Sequence, residues 1–140
     1  KIEIEKIATA ISPPSYISFE SALSKYGILS QIPYTLTLAT SKKPKKKILN
    51  NIQVEYRQLK KDLFFGYKLE NGIYIAEPEK ALLDELYLIS KGRANLDLNE
   101  LDLKPIRKII FLEYSKKFPR YTQKIDKRLI LFLSPKSNQK

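Results

Sequence analysis

Apolar positions first recur with a helical period. Ile4, Ile7, Ala8 and Ile11 fall at i, i+3, i+4 and i+7, which aligns them on one helix face. Ser12-Pro13-Pro14 is expected to end that helix, because proline lacks an N–H and disfavours helical backbone before it. A second helix is predicted with Ser18 as its N-cap and Phe19, Ala22, Leu23 and Tyr26 as its buried stripe. Glu20 stands near the positive end of its dipole, and Gly27 can take the left-handed position that stops it.

The period then shortens to two. Tyr34-Thr35-Leu36-Thr37-Leu38 alternates as a half-buried strand should. Ser41 to Lys47 reads as a charged loop. Lys47-Ile48-Leu49 and Ile52 to Arg57 predict a hairpin around Asn50-Asn51, since asparagine tolerates positive φ. Leu63 to Leu69 and Ile73 to Ala76 predict another around Asn71-Gly72. The links are too short for parallel crossovers, so about five short antiparallel strands are expected.

Helical periodicity returns after residue 77. Pro78 suits a first helical position, with Glu77 and Glu79 at the dipole's positive end and Ala81, Leu82, Leu86 and Ile89 facing inward. Asp97 to Glu100 resembles a capping box. Ile106, Ile109, Ile110, Phe111 and Tyr114 predict a helix that ends before Pro119. Tyr121, Ile125, Leu129, Phe132 and Leu133 predict the apolar stripe of a last helix, whose other face carries Arg120, Lys124, Lys127 and Arg128. Helix pair, small sheet, then helices is an α+β order, and residues 1–140 read as one domain.

Composition narrows the chemistry. The chain has no histidine and no cysteine, which excludes Ser-His-Asp, Cys-His and His- or thiolate-metal sites. No cofactor or metal is expected, and the chain is not expected to be an enzyme. Carboxylates alone could hold Mg²⁺. Glu55, Asp62, Glu77, Glu79 and Asp84 with Lys80 are the nearest approach to a nuclease set, although Glu77 and Glu79 are adequately explained as first-turn acids. Only four glycines occur, and none fits a phosphate-cradling loop.

Charge redirects attention to partners. The formal net charge is +11, unevenly spread. Ser41 to Lys61 carries eight basic residues and one acid, Asn71 to Leu103 three and seven, and Lys104 to Lys140 eleven and two. Such asymmetry favours an anionic partner, either nucleic acid or an acidic protein face. Lys42, Lys43, Lys45, Lys46 and Lys47 could follow a phosphate backbone, as could Arg120, Lys124, Lys127 and Arg128. The same lysine run is also an ordinary solvated turn, and it could not read sequence. Tyr56, Tyr67 and Tyr74 are the aromatic candidates for stacking or interface contact. No apolar run approaches membrane-spanning length, so no membrane partner and a cytoplasmic location are expected. The chain opens on Lys1 and lacks methionine, so it is expected to be part of a longer translation product.

Three segments together resemble one family. They are Pro13-Pro14 with Tyr16 to Ile28, Phe64-Phe65-Gly66-Tyr67 with Gly72 to Ala76, and Glu77 to Leu88. The last includes the most specific stretch, Pro78-Glu79-Lys80-Ala81-Leu82-Leu83-Asp84. Phe118-Pro119, between two basic helices, fits more loosely. These segments resemble the AbiEi-type antitoxin and transcriptional regulator of abortive-infection systems. The resemblance implies a domain that follows an N-terminal winged helix-turn-helix and neutralises a nucleotidyltransferase-like toxin without needing a stable complex. The winged helix-turn-helix is expected to be absent from residues 1–140, which departs from the pattern. The other reading is a nucleic-acid-binding accessory module of a regulator. For Glu79 and Asp84, a helix-start acid and a buried salt-bridge partner are sufficient structural roles.

Overall fold

The computed structural model describes residues 2–133, the Ile2 side chain excepted. Residues 134–140, which carry part of the C-terminal charge, lie outside the described residues. The predicted α+β class is found. Among the described residues five helices accompany a six-stranded sheet, with α4 and α5 packed on α3, in the order α1 (Ile2–Ile11), β1 (Ser15–Ile17), α2 (Phe19–Lys25), β2 (Thr35–Thr40), β3 (Lys45–Leu49), β4 (Ile52–Gln58), β5 (Tyr67–Glu70), β6 (Ile73–Ala76), α3 (Pro78–Ser90), α4 (Lys108–Ser115) and α5 (Arg120–Ile130).

The sheet is mixed, not antiparallel. Its order is β3-β4-β2-β1-β6-β5, with β2 parallel to β4 and β1 parallel to β6. The crossover rule fails here because the parallel partners are not consecutive strands. β3 runs out to the edge, and β4 returns between it and β2. β1 was not expected, because Ser12-Pro13-Pro14 reads only as a stop; its three residues are fixed by pairing to β2 and β6. Lys45, Lys46 and Lys47 belong to β3 and not to a loop, so only Ser41 to Pro44 turns. On the far hairpin, Lys61–Leu63 is a 3-10 turn, and β5 starts only at Tyr67.

Both asparagine turns form as predicted. Asn50 and Asn51 take φ of 50° and 64°, and Asn71 and Gly72 take 54° and 80°, the left-handed pair a tight hairpin needs. Gly27 stops α2 at φ 76°.

Residues directly opposite across a ladder share a sheet face. Tyr16 lies opposite Ala39, and Ala39 opposite Arg57, so these face one way, toward α2 and α3. Ile17, Leu38 and Tyr56 face the other way, where the Tyr56 hydroxyl donates to the Ala8 carbonyl of α1. Tyr56 is therefore core, which removes it as a stacking candidate.

Two helix stripes are rotated from expectation. In α1 the inward residues are Ile4, Glu5, Ala8 and Thr9, while Ile7 and Ile11 are exposed. The shift lets Glu5 meet Lys25 of α2 at 3.1 Å, and the Thr9 hydroxyl bonds back to the Glu5 carbonyl. In α5 the buried residues are Thr122, Asp126 and Leu129, and Leu133 beyond its end is buried as expected, while Tyr121 in the helix and Phe132 after it are exposed. The Ser115 hydroxyl donates to Asp126, and Thr122 contacts Ser90 at 2.9 Å. In both helices polar partners on neighbouring elements turn the face.

Candidate functional site

Helix α3 organises the interior. Pro78 takes its first position, and the residues from Glu79 to Leu88 are all buried. Burial around the full circumference includes four charged side chains, and each has a specific neighbourhood. Lys80 and Asp84, one turn apart, are fully buried and pair at 2.6 Å. The Lys80 ammonium also donates to the Tyr16 hydroxyl at 2.8 Å. Asp84 in turn accepts from Tyr16 at 2.9 Å and from the Ser18 hydroxyl at 2.7 Å. Ser18 thus holds the N-cap position of α2 without capping it, because its hydroxyl serves Asp84 instead of the helix.

Aromatic faces complete the enclosure of Lys80. Its ammonium lies 4.7 Å from the Phe65 ring centre and 5.5 Å from that of Phe118, within cation–π range. Gly66 passes so close that a Cβ there would sit 2.9 Å from the Lys80 Cγ. Burial lowers the Lys80 pKa and raises that of Asp84, while their mutual contact pulls both back toward the ion pair. Burial, then the Asp84 charge, lifts the Tyr16 phenol far above its usual range, so it stays a donor. Tyr16, Ser18, Lys80 and Asp84 have no solvent exposure, so a substrate has no route to them. Their chemistry joins β1, α2 and α3.

The other acids of α3 are equally committed. Glu79, fully buried, accepts from the Arg107 backbone N–H at 2.7 Å and from its guanidinium at 3.1 and 3.0 Å. That clamp fixes the start of α4. Glu77 accepts from the Tyr114 hydroxyl, whose pKa is pushed up to about 12 by burial and then by Glu77. Glu55 meets Arg57 at 3.3 Å, and Asp62 is exposed on the 3-10 turn. The five acids that are the nearest approach to a nuclease set are thus dispersed. Among the described residues no three Asp or Glu side chains gather to hold a cation.

Two buried carboxyls remain short of partners. Among the described residues, neither Glu85 oxygen, nor Asp126 Oδ1, has a hydrogen-bond partner. Burial, then the neighbouring Glu20 carboxylate, pushes Glu85 up to about 9. Burial raises Asp126 to about 6, against the Ser115 hydrogen bond.

The accessible candidate is a groove of about 730 Å³ between the β3–β4 edge of the sheet and the C-terminal end of α3. Lys45, Lys46, Arg57, Lys60, Lys91 and Arg93 line it, against one carboxylate, Glu55. Arg57 is braced: it meets Glu20 at 2.9 Å and lies 5.0 Å from the Phe19 ring centre. Burial disfavours its charge, but Glu20 and Glu55 outweigh burial and raise its pKa. Lys91 rests on Tyr87, 5.1 Å from the ring centre. The groove thus gathers six cations, of which Arg57 is held by Glu20 and Phe19, an arrangement that attracts polyanions.

Of the predicted cations, only Lys45 and Lys46 line this groove; Lys42 and Lys43 lie on the preceding exposed turn. Lys47 lines a separate depression with Ile48 and Gln53. Arg120, Lys124, Lys127 and Arg128 form a second basic strip on α5, with Arg120, Lys124, Lys127 and Arg128 all exposed. Arg57 and Lys60, inside the basic stretch from Ser41 to Lys61, and Lys91 and Arg93, inside the acidic one, were not singled out, because only the fold brings the two pairs together. Tyr67 and Tyr74 are partly exposed, and Tyr67 stacks on Tyr16 at 4.7 Å. Among the described residues no helix is long and apolar enough to cross a membrane. Compared with protein-family models, curated proteins and solved structures, the chain matches none of them.

Proposed function

We propose that this chain is the toxin-neutralising domain of an antitoxin and regulator of the AbiEi type, acting by binding and not by catalysis. One observation carries the reading. The family-like segments are distant in sequence, yet they meet at Lys80: Tyr16 from the first, Phe65 and Gly66 from the second, Asp84 from the third and Phe118 from the tail. Residues in mutual contact make a resemblance of fold more coherent than scattered matches would. The stretch Pro78 to Asp84 then acts as a structural signature, its six residues after Pro78 all buried.

Neutralisation is tested by co-expressing the chain with a nucleotidyltransferase toxin encoded beside it. Relief of growth arrest is the expected outcome; undiminished arrest at full expression of the folded domain rejects the reading.

The basic groove favours a second reading, an accessory module that adds phosphate contacts to a regulator's own DNA-binding element. Its signature is duplex binding whose log affinity falls linearly with log salt. Absence of any retained duplex at low salt excludes it.

A further inference from the structure

We propose that the free edge of β3 is a docking site for an extended acidic segment of a partner protein, which adds a seventh strand to the sheet. Among the described residues β3 ends the strand order and pairs on one side only, with β4. Its other side presents an unpaired row of backbone donors and acceptors.

The side chains specify what such a strand should carry. Lys45, Lys46 and Lys47 are consecutive, so both faces of the edge are cationic. Ile48 follows, 70% exposed. By register, Lys46 and Ile48 share the face of Glu55 and Arg57, and Lys45 and Lys47 share that of Tyr56 and Val54. An antiparallel partner that reads apolar-apolar-acid-acid-acid would set carboxylates against the three lysines and an apolar side chain against Ile48. Cross-strand pairs of both kinds are favourable.

The competing occupants fit less well. A second copy in antiparallel register would place Lys47 against its own equivalent and gather six lysines on one ribbon. Nucleic acid could use the lysines, but its phosphates accept only, and the edge carbonyls would oppose them. A polypeptide satisfies both rows. The opposite edge, β5, offers no such polarity, since its Lys68 and Glu70 pair with each other at 3.6 Å. Lysines along β3 therefore repel like edges and select an acidic one. The site stands independently of toxin neutralisation.

Fluorescence anisotropy with the peptide Thr-Val-Val-Glu-Glu-Glu-Thr tests the proposal on the whole chain. Two versions are N-methylated at alternate sets of residues. The unmodified peptide should bind; one methylated version should weaken at least tenfold, and the other should bind like the parent. Lys46→Glu with Lys47→Glu, both in exposed or half-exposed positions, should abolish binding while the circular dichroism spectrum stays unchanged. Equal binding of all three peptides would reduce the site to charge attraction and overturn strand addition. So would failure of the acidic peptide to bind, or single-stranded DNA of equal length binding where the peptide does not.

Discussion

The Lys80 ammonium and the Asp84 carboxylate lie 2.6 Å apart across one turn of α3, both without solvent exposure. A buried ion pair adds little over an apolar pair of the same shape, but removing one partner leaves an uncompensated charge in the core. Lys80→Met is therefore expected to cost about 3–5 kcal/mol, and Asp84→Leu a similar amount. The double variant should recover part of the loss, because no lone charge remains while the Tyr16 and Ser18 hydroxyls still lose their acceptor. Urea denaturation of the four proteins checks this; additive losses in the double variant would show that the pair is not a unit.

Gly66 should be the least replaceable glycine. At φ +74° an added Cβ would meet the Lys80 Cγ at 2.9 Å, whereas Gly27 at +76° has nothing within 4 Å. Gly66→Ala then combines backbone strain with overpacking, on the order of 2–4 kcal/mol. Gly27→Ala incurs strain alone, roughly 1 kcal/mol. Melting temperatures of the two variants should differ in that order.

Stability should fall as the pH rises. Folded Glu85 keeps its proton up to about 9 and folded Asp126 up to about 6, whereas the unfolded chain releases them near 4.5 and 3.8. Through those windows the folded state binds more protons, so each group lowers stability as pH increases. Glu85→Gln removes the titration and keeps the shape. It should gain at least ~1 kcal/mol over the parent at pH 8, by the equivalence of one pKa unit to that energy. The difference should vanish near pH 4, measured by urea denaturation at both values.

If the basic groove holds a phosphate backbone, Lys60→Glu with Arg93→Glu should weaken duplex binding at every sequence alike. Loss of two phosphate contacts lowers the slope of log affinity against log salt by about 2. Lys124→Glu with Lys127→Glu on α5 separates the two basic surfaces. Equal effects from both pairs would point to diffuse attraction by the +11 chain.

Turn chemistry was the most legible part of the sequence. Asn50-Asn51 and Asn71-Gly72 signal their hairpins because positive φ is a local demand met by local residues. Pro78 marks the start of α3 for the same reason. What escaped depends on distant neighbours. Ser15 to Ile17 becomes a strand only because two others flank it. Lys45 to Lys47 looks like loop by composition and is strand by pairing, since an edge leaves lysine heads in water. The burial of Lys80 and Asp84 has no sequence signature beyond i, i+4 spacing, which exposed pairs share. The groove cations come from three separate stretches, 45–46, 57–60 and 91–93, and only the fold adds the last, which lies in an acidic part of the sequence, to the first two.

The three residues of β1 are the seam of the molecule. Toward one side they pair with β2, and through it with β4 and β3; toward the other they meet β6 through Ile17 opposite Ile75. Two hairpin-bearing halves thus hang from one short thread. Trimming the chain to begin beyond Ile17 would delete that thread and the Tyr16 phenol together, leaving two sheets where there was one.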